Sequence, residues 1–172
     1  MMISSVQRIG VVTVTYNSAS VLPEFLASIW KQTHKEFLLY IIDSGSTDDT
    51  QHRIREISDP RARLVIQEEN IGFAVGSNLG IKMALDEGCE AVMLLNNDTI
   101  FGPNLFLQLL NGLDVHNCDM TTPKMLYSDP PNKISAAGGH LNKWLGYRNR
   151  NYGEGQLDDG RFDRQRRVTF TP

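Results

Sequence analysis

Ile9 to Thr15 is β-branched and apolar with almost no polar alternation, the pattern of a strand buried on both faces of a parallel sheet. Behind it, Leu22, Phe25, Leu26, Ile29 and Trp30 recur at helical spacing, with Ser20 as a cap and Pro23 in the first turn. Phe37 to Ile42 reads as a second buried strand. Ser46-Thr47-Asp48-Asp49 resembles a capping box and opens a helix to about Ile57, which Asp59-Pro60 ends. Arg63 to Gln67 gives a third strand, and Phe73 to about Glu87 a helix that stops at Gly88. Ala91 to Leu95 is a fourth strand. Pro103 then opens a helix with Leu105, Phe106, Leu109, Leu110 and Leu113 inward, and Asp119 to Pro123 gives a fifth strand.

Alternating strands and helices with short connections predict an α/β fold, a mainly parallel sheet flanked by helices on both faces. From Ser128 onward both periods fade. Pro130-Pro131, Gly138-Gly139, Gly146, Gly153, Gly155 and Gly160 stand among many Asn and Arg. This predicts an irregular C-terminal segment of loops and short strands. The expected division is therefore 1–127 and 128–172.

Composition narrows the function classes. The 172 residues carry 17 Lys+Arg against 20 Asp+Glu, a formal net charge of −3. That balance argues against coating nucleic acid by charge. No run reaches the ~20 apolar residues of a membrane span. Met1 to Arg8 lacks the pattern of a secretory signal. Cys89 and Cys118 form no Cys-x-x-Cys and read as small reduced hydrophobes, which fits a cytoplasmic setting. In that setting Asn97-Asp98-Thr99 is a coincidental glycosylation match.

In open parallel sheets ligands bind beyond the carboxyl ends of the strands. Each strand here ends in groups suited to that: Tyr16 and Asn17, then Asp43, Ser44 and Gly45, then Glu68, Glu69, Asn70 and Gly72, then Asn96, Asn97 and Asp98. Asp43 is placed either to accept from ribose hydroxyls or a base N–H, or to cap the following helix. Asp48 and Asp49 read as first-turn helix acids. Gly76 and Gly80, four apart in a helix, cost ~1 kcal/mol each relative to Ala. Close packing on the sheet or close approach of a ligand would offset that. Asp98 suits Mg²⁺ or Mn²⁺, provided phosphate oxygens and water complete the shell. The dinucleotide and P-loop glycine signatures and the serine nucleophile elbow are missing. His34, His52, His116 and His140 are scattered.

Together these segments resemble a family 2 glycosyltransferase of the GT-A fold. Val11 to Asn17 resembles the family's first strand and its nucleotide-contacting end. Ile42 to Asp48 resembles "D-x-G-S-x-D". Asn70 to Gly80 resembles the "N-x-G-x-x-x-x-x-N-x-G" helix of the rhamnosyltransferase-like branch. Leu95-Asn96-Asn97-Asp98 stands at the "D-x-D" position. The resemblance implies that Tyr16 and Asp43 contact the nucleobase and ribose, and that Asn70, Gly72 and Asn78 line the donor pocket. It implies that Asp98 holds a Mg or Mn divalent cation on the donor diphosphate. Asn96 departs from the usual first acid, and binds through its carbonyl oxygen or contacts the sugar instead.

The implied reaction moves a sugar from a UDP- or dTDP-sugar to an acceptor hydroxyl with inversion, aided by a general base. The implied acceptor is a saccharide or lipid-linked saccharide, at the cytoplasmic face of a membrane, in cell-surface polysaccharide biosynthesis. No nucleic-acid partner is expected. The family's Glu-Asp base motif is not found; the later acids are Glu154, Asp158, Asp159 and Asp163, and the processive "Q-x-x-R-W" is missing too. Val168 to Pro172 resembles the strand leading into the acceptor half. The expectation is a fragment that keeps the donor half, with its base beyond Pro172. The basic run Arg148, Arg150, Arg161, Arg164, Arg166 and Arg167 is a solvated face or a steering patch for anions. A non-catalytic nucleotide-binding fragment or degenerate homologue is the competing reading. A nucleotidyltransferase would need a Gly-rich basic loop where Tyr16-Asn17-Ser18-Ala19 stands.

Overall fold

The computed structural model describes residues 6–142 and 148–170. Four parallel strands form its main sheet: β1 (Ile9–Thr15), β2 (Phe37–Asp43), β3 (Ala62–Ile66) and β4 (Ala91–Leu94), in the order β3-β2-β1-β4. The connections are α1 (Leu22–Trp30), α2 (Thr50–Arg55) and α3 (Gly72–Asp86), and α4 (Leu105–His116) follows β4. The α/β reading and its parallel sheet hold. Compact units divide between Leu107 and Gln108.

Period 2 sorts the strands onto two faces. Val11, Thr13 and Thr15 share one face with Phe37, Leu39, Ile41 and Asp43 through the register Ile9↔Phe37 to Thr15↔Asp43. The aromatic side of α1 packs there: Trp30 stacks on Phe37, and Phe37 meets Phe106 edge-on. Buried Gln32 ties this face to the loop after β4. Its Nε2 donates to the Ser28 and Gly102 carbonyls at 3.0 and 2.8 Å, and its Oε1 accepts from Phe106 N at 3.1 Å.

The opposite face, with Gly10, Val12, Val14, Tyr40 and Ile42, receives α3. A Cβ on Gly80 would stand 2.3 Å from Val12 Cγ1, and one on Gly76 would stand 3.0 Å from Val14. Close helix–sheet packing is therefore what these two glycines serve, with dispersion contacts offsetting their helix cost. Gly88, at φ +78°, ends the helix region as expected. Beside them Tyr40 Oη lies 3.9 Å from Cys89 Sγ, and burial pushes both acids up from their ordinary values. The fold thus favours their protonated forms. Their contribution is complete below the ordinary thiol value of 9.0 and is lost as pH rises past it. Denaturation midpoints measured from pH 8 upward are expected to fall, and less steeply in Tyr40→Phe.

Several boundaries differ from expectation. The residue before α1 is Val21, without a side-chain cap, rather than Ser20. Helix α2 is only six residues long. Asp119 to Pro123 forms no strand; its Thr121 hydroxyl instead donates to the Leu109 carbonyl at 3.1 Å. Beyond it, β5 (Met125–Leu126) pairs with β6 (Ile134–Ala136), and β7 (Gly139–Asn142) with β8 (Arg148–Asn151). Short strands among loops are what the fading periodicity implied. Phe170 bridges to Gly139. Gly146 and the last two residues of the expected strand at 168–172 lie outside the described residues.

Candidate functional site

Where β1, β2 and β4 end, an open cavity of about 370 Å³ is lined by Val14, Tyr16, Ser18, Ser44, Asn70, Gly72, Phe73, Asn96, Asn97 and Asp98. That volume is in the range of small-molecule sites. Seven of the ten expected site residues stand in this wall: Tyr16, Ser44, Asn70, Gly72, Asn96, Asn97 and Asp98.

The wall is built by side chains that tie strand ends together. Asn97 Nδ2 donates to the Val14 carbonyl at 3.0 Å and to Ser18 Oγ at 2.9 Å, which fixes the end of β4 against β1. Thr99 Oγ1 donates to the Asn96 carbonyl at 2.7 Å and closes the turn that carries Asp98. Ser44 is the junction with α3. Its Oγ accepts from Ile71 N and Gly72 N at 2.9 and 3.1 Å and donates to Asn70 Oδ1 at 3.0 Å. Gly72, at φ +77°, turns the chain into the helix, and its N–H also reaches Asn70 Oδ1 at 2.9 Å.

Three expected residues stand outside the wall. Asp43 is fully buried. One oxygen accepts from Thr15 Oγ1 at 2.8 Å and Ser46 Oγ at 2.5 Å, the other from Ser46 N at 3.0 Å and Gln51 Nε2 at 3.1 Å. Its place on the face shared with Leu39 and Ile41 turns it inward, so it supports the site and offers a ligand no surface. Asn17, at φ +49°, accepts from Thr47 N at 2.9 Å and holds the loop before α2. Asn78 is exposed on α3, away from the docked Gly76 and Gly80. Asp48 stands one residue before the N-cap of α2, Asp49, and accepts from Thr50 N at 2.9 Å; hydrogen bonding by Thr50 holds its carboxyl below the usual range.

Three wall residues were not among the expected site residues: Val14, a residue of β1 itself, Ser18 and Phe73. Ser18 follows β1 and was overshadowed by Tyr16-Asn17. Phe73 reads as the start of an apolar helix face, yet it is 57% exposed, and Tyr16 is 50% exposed. A large aromatic directly after the glycine that opens α3 is the signal that would have marked it. These rings present two apolar surfaces to one cavity, and aromatic faces stack well on planar heterocycles.

Asp98 is exposed, and its carboxylate has no partner among the described residues. Those residues hold no group of three or more His, Cys, Asp or Glu able to bind a metal. The donor set at the cavity is one carboxylate and the neighbouring amide oxygen of Asn96. Oxygen ligands of that kind fit Mg²⁺ or Mn²⁺ when substrate phosphates supply the remainder.

A parallel sheet in the order β3-β2-β1-β4, with a cavity lined by polar strand-end residues and two aromatics at its carboxyl edge, is the architecture of a GT-A glycosyltransferase. The family model described as Glycosyl transferase family 2 matches residues 10–162, and the chain belongs to that family. Among relatives, GlyG of Streptococcus pneumoniae is 29% identical over 116 residues, covering 66% of this chain and 38% of GlyG. The UDP-Glc:alpha-D-GlcNAc-diphosphoundecaprenol beta-1,3-glucosyltransferase WfgD of Escherichia coli is 29% identical over 96 residues, covering 56% of this chain and 37% of WfgD. Of a glycosyltransferase from Rickettsia conorii, 33% identical over 94 residues, the chain spans only 15%. Among solved structures, the mannosyltransferase PcManGT from Pyrobaculum calidifontis, in complex with GDP-Man and Mn²⁺, superposes with a TM-score of 0.53 at 27% identity, over 62% of this chain and 31% of that one. TarS of Staphylococcus aureus in complex with UDP shares the fold, with a TM-score of 0.56 at 21% identity over 71% of this chain and 40% of TarS. No helix among the described residues is long and apolar enough to cross a membrane.

Proposed function

We propose that this chain binds a UDP- or dTDP-sugar and serves its transfer, with inversion, to an acceptor hydroxyl of a saccharide or lipid-linked saccharide. The setting is cell-surface polysaccharide biosynthesis at the cytoplasmic face of a membrane. One observation carries this: the cavity joins two half-exposed rings, Tyr16 and Phe73, to Asp98, a carboxylate without a partner among the described residues. The rings suit a nucleobase at one end of a ligand, and the carboxylate suits a cation-bound diphosphate at the other. The relatives named above support donor and acceptor chemistry of this class, and the Asn70–Gly80 pattern supports the rhamnosyltransferase-like branch.

The chain's own residues divide the work. Tyr16 and Phe73 stack on the base and exclude water from its faces. Asp98, with the Asn96 oxygen, holds Mg²⁺ or Mn²⁺. That cation, when bound, offsets the charge developing on the departing diphosphate. As the acceptor oxygen bonds to the anomeric carbon, the bond to the diphosphate oxygen breaks, and the hydroxyl proton passes to a general base. The later acids are engaged otherwise: Asp158 and Asp163 pair with Lys124, Asp159 pairs with Arg161, and Glu154 accepts from Asn151. None of these acids is the proposed base. A non-catalytic nucleotide-binding role shares the same cavity, and is favoured by Asn96 in place of an acid and by the lack of an assigned base among the later acids. Product formation from a labelled donor separates the two.

Calorimetric titration of UDP, with Mn²⁺ or with chelator, tests the reading. Wild-type chain is expected to bind at least about tenfold more tightly with metal, the equivalent of one charge-assisted contact. Asp98→Ala is expected to lose that difference while keeping the metal-free affinity. Equal affinities with and without metal in the wild type would remove Asp98 from the metal role.

A further inference from the structure

Ser18 is 8% exposed and stands between the end of β1 and the start of α1. Every hydrogen-bonding group it carries is engaged. Its N–H donates to Thr50 Oγ1 at 2.7 Å, and its carbonyl accepts from Val21 N and Leu22 N, both at 3.1 Å. The Tyr16 carbonyl, which can only accept, takes the hydroxyl proton at 3.2 Å. Tyr16 N and Asn97 Nδ2 then donate to the two lone pairs, at 3.2 and 2.9 Å. The Asn97 amide has no other orientation, because the same nitrogen faces the Val14 carbonyl at 3.0 Å. With its proton and both lone pairs used, Ser18 lines the cavity yet has nothing left to offer a ligand.

We propose that Ser18 is a positioning residue that sets both ends of the cavity, the Tyr16 ring and the Asp98 carboxylate, through one oxygen atom. This rests on the donor reading above and deepens it. On one side the hydroxyl holds the N–H and the carbonyl of Tyr16, which fixes the backbone that carries the half-exposed ring. On the other it holds Asn97, within the turn that Thr99 Oγ1 closes on the Asn96 carbonyl at 2.7 Å. Asp98 is the next residue in that turn. Its carboxylate has no partner of its own among the described residues, so the backbone beneath it decides where it stands. Groups that orient a metal's ligands without touching the metal typically change its affinity by about 10–100-fold. Losing this hydroxyl therefore weakens the base end and the metal end together, although no atom that touches either is removed.

The test is calorimetry of UDP with two readouts. Affinity in chelator reads the base end, and the ratio of affinities with Mn²⁺ and with chelator reads the metal end. Ser18→Ala removes the hydroxyl and leaves the backbone bonds to Thr50, Val21 and Leu22. It is expected to lower the affinity in chelator about fivefold, the worth of one hydrogen bond. It is also expected to shrink the metal ratio from about tenfold or more to about twofold. Tyr16→Ala is expected to move the first readout alone, and Asp98→Ala the second alone. Tyr40→Phe, a buried change on the opposite face of the sheet, is expected to move neither, which separates positioning from lost stability. Asn97→Ala cuts the link from the β4 side while the hydroxyl stays on Tyr16. It is expected to lose the metal ratio and keep the affinity in chelator, and it decides the matter should Ser18→Ala fail to fold. Either readout unchanged in folded Ser18→Ala, or the ratio kept in Asn97→Ala, overturns the inference and leaves the donor reading standing. A wild type without a metal ratio removes the metal role of Asp98 and this inference with it, and a wild type that does not bind UDP removes the donor reading as well.

Discussion

Asp43→Ala is expected to lower the stability of the chain by about 3–5 kcal/mol, the upper range for breaking a buried hydrogen-bond network. The side chain is fully buried, and removing it leaves four donors without their acceptor: Thr15 Oγ1, Ser46 Oγ, Ser46 N and Gln51 Nε2. Against a total stability of about 5–15 kcal/mol, that loss removes a substantial fraction of the margin. Asp43→Asn is expected to cost markedly less. Its amide oxygen can take the two nitrogen donors, Ser46 N and Gln51 Nε2. Its amide nitrogen then faces the two hydroxyls, which can rotate to accept. Urea denaturation of the three proteins checks the ordering. Equal losses for Ala and Asn would mean that the network tolerates no exchange of donor for acceptor. No loss in Asp43→Ala would show that the network is not part of the fold's stability.

The same residue shows what sequence could and could not deliver. The four strands of the sheet were readable because a strand covered on both faces must be apolar at every position, and Ile9–Thr15 and Phe37–Asp43 are close to that. Helix α3 was readable from its period and from Gly88. The ring of polar strand ends was readable too, since chain order and right-handed crossovers bring those ends to one edge. Which side chain at each end faces the cavity was harder. Alternation places Asp43 with Leu39 and Ile41, beneath the site, and gives the cavity to Ser44, whose hydroxyl is a less conspicuous signal than a carboxylate. For Asn78, the docked glycines two positions on either side already implied a side chain turned from the sheet. Asp119–Pro123 failed for another reason. A strand exists only where a partner offers a ladder, and partnership is decided by distant residues that a local pattern does not contain.

Gly45→Ala is expected to be the most damaging of the loop glycine substitutions, costing on the order of 2–5 kcal/mol and weakening nucleotide binding at once. Two terms add. Gly45 sits at φ +71°, where a side chain costs about 1–2 kcal/mol. A Cβ there would also stand 2.5 Å from the Glu69 carbonyl carbon and 2.9 Å from both Glu69 Cα and Asn70 N. These are backbone atoms, so no rotamer change relieves the clash, and overpacking of this kind typically costs about 1–3 kcal/mol. The chain can yield only by moving the loop after β3, which carries Asn70 into the cavity wall and onto Ser44 Oγ. Gly72→Ala supplies the control. It shares the left-handed backbone, at φ +77°, but its Cβ would meet nothing within 4 Å, so only the conformational term applies. Denaturation midpoints should therefore rank wild type above Gly72→Ala above Gly45→Ala, with UDP affinity falling furthest in the last. If the two variants lose equal stability, the close approach of Gly45 to the Glu69–Asn70 backbone is slack, and the alignment of Asn70 must depend on Ser44 and the Gly72 N–H instead.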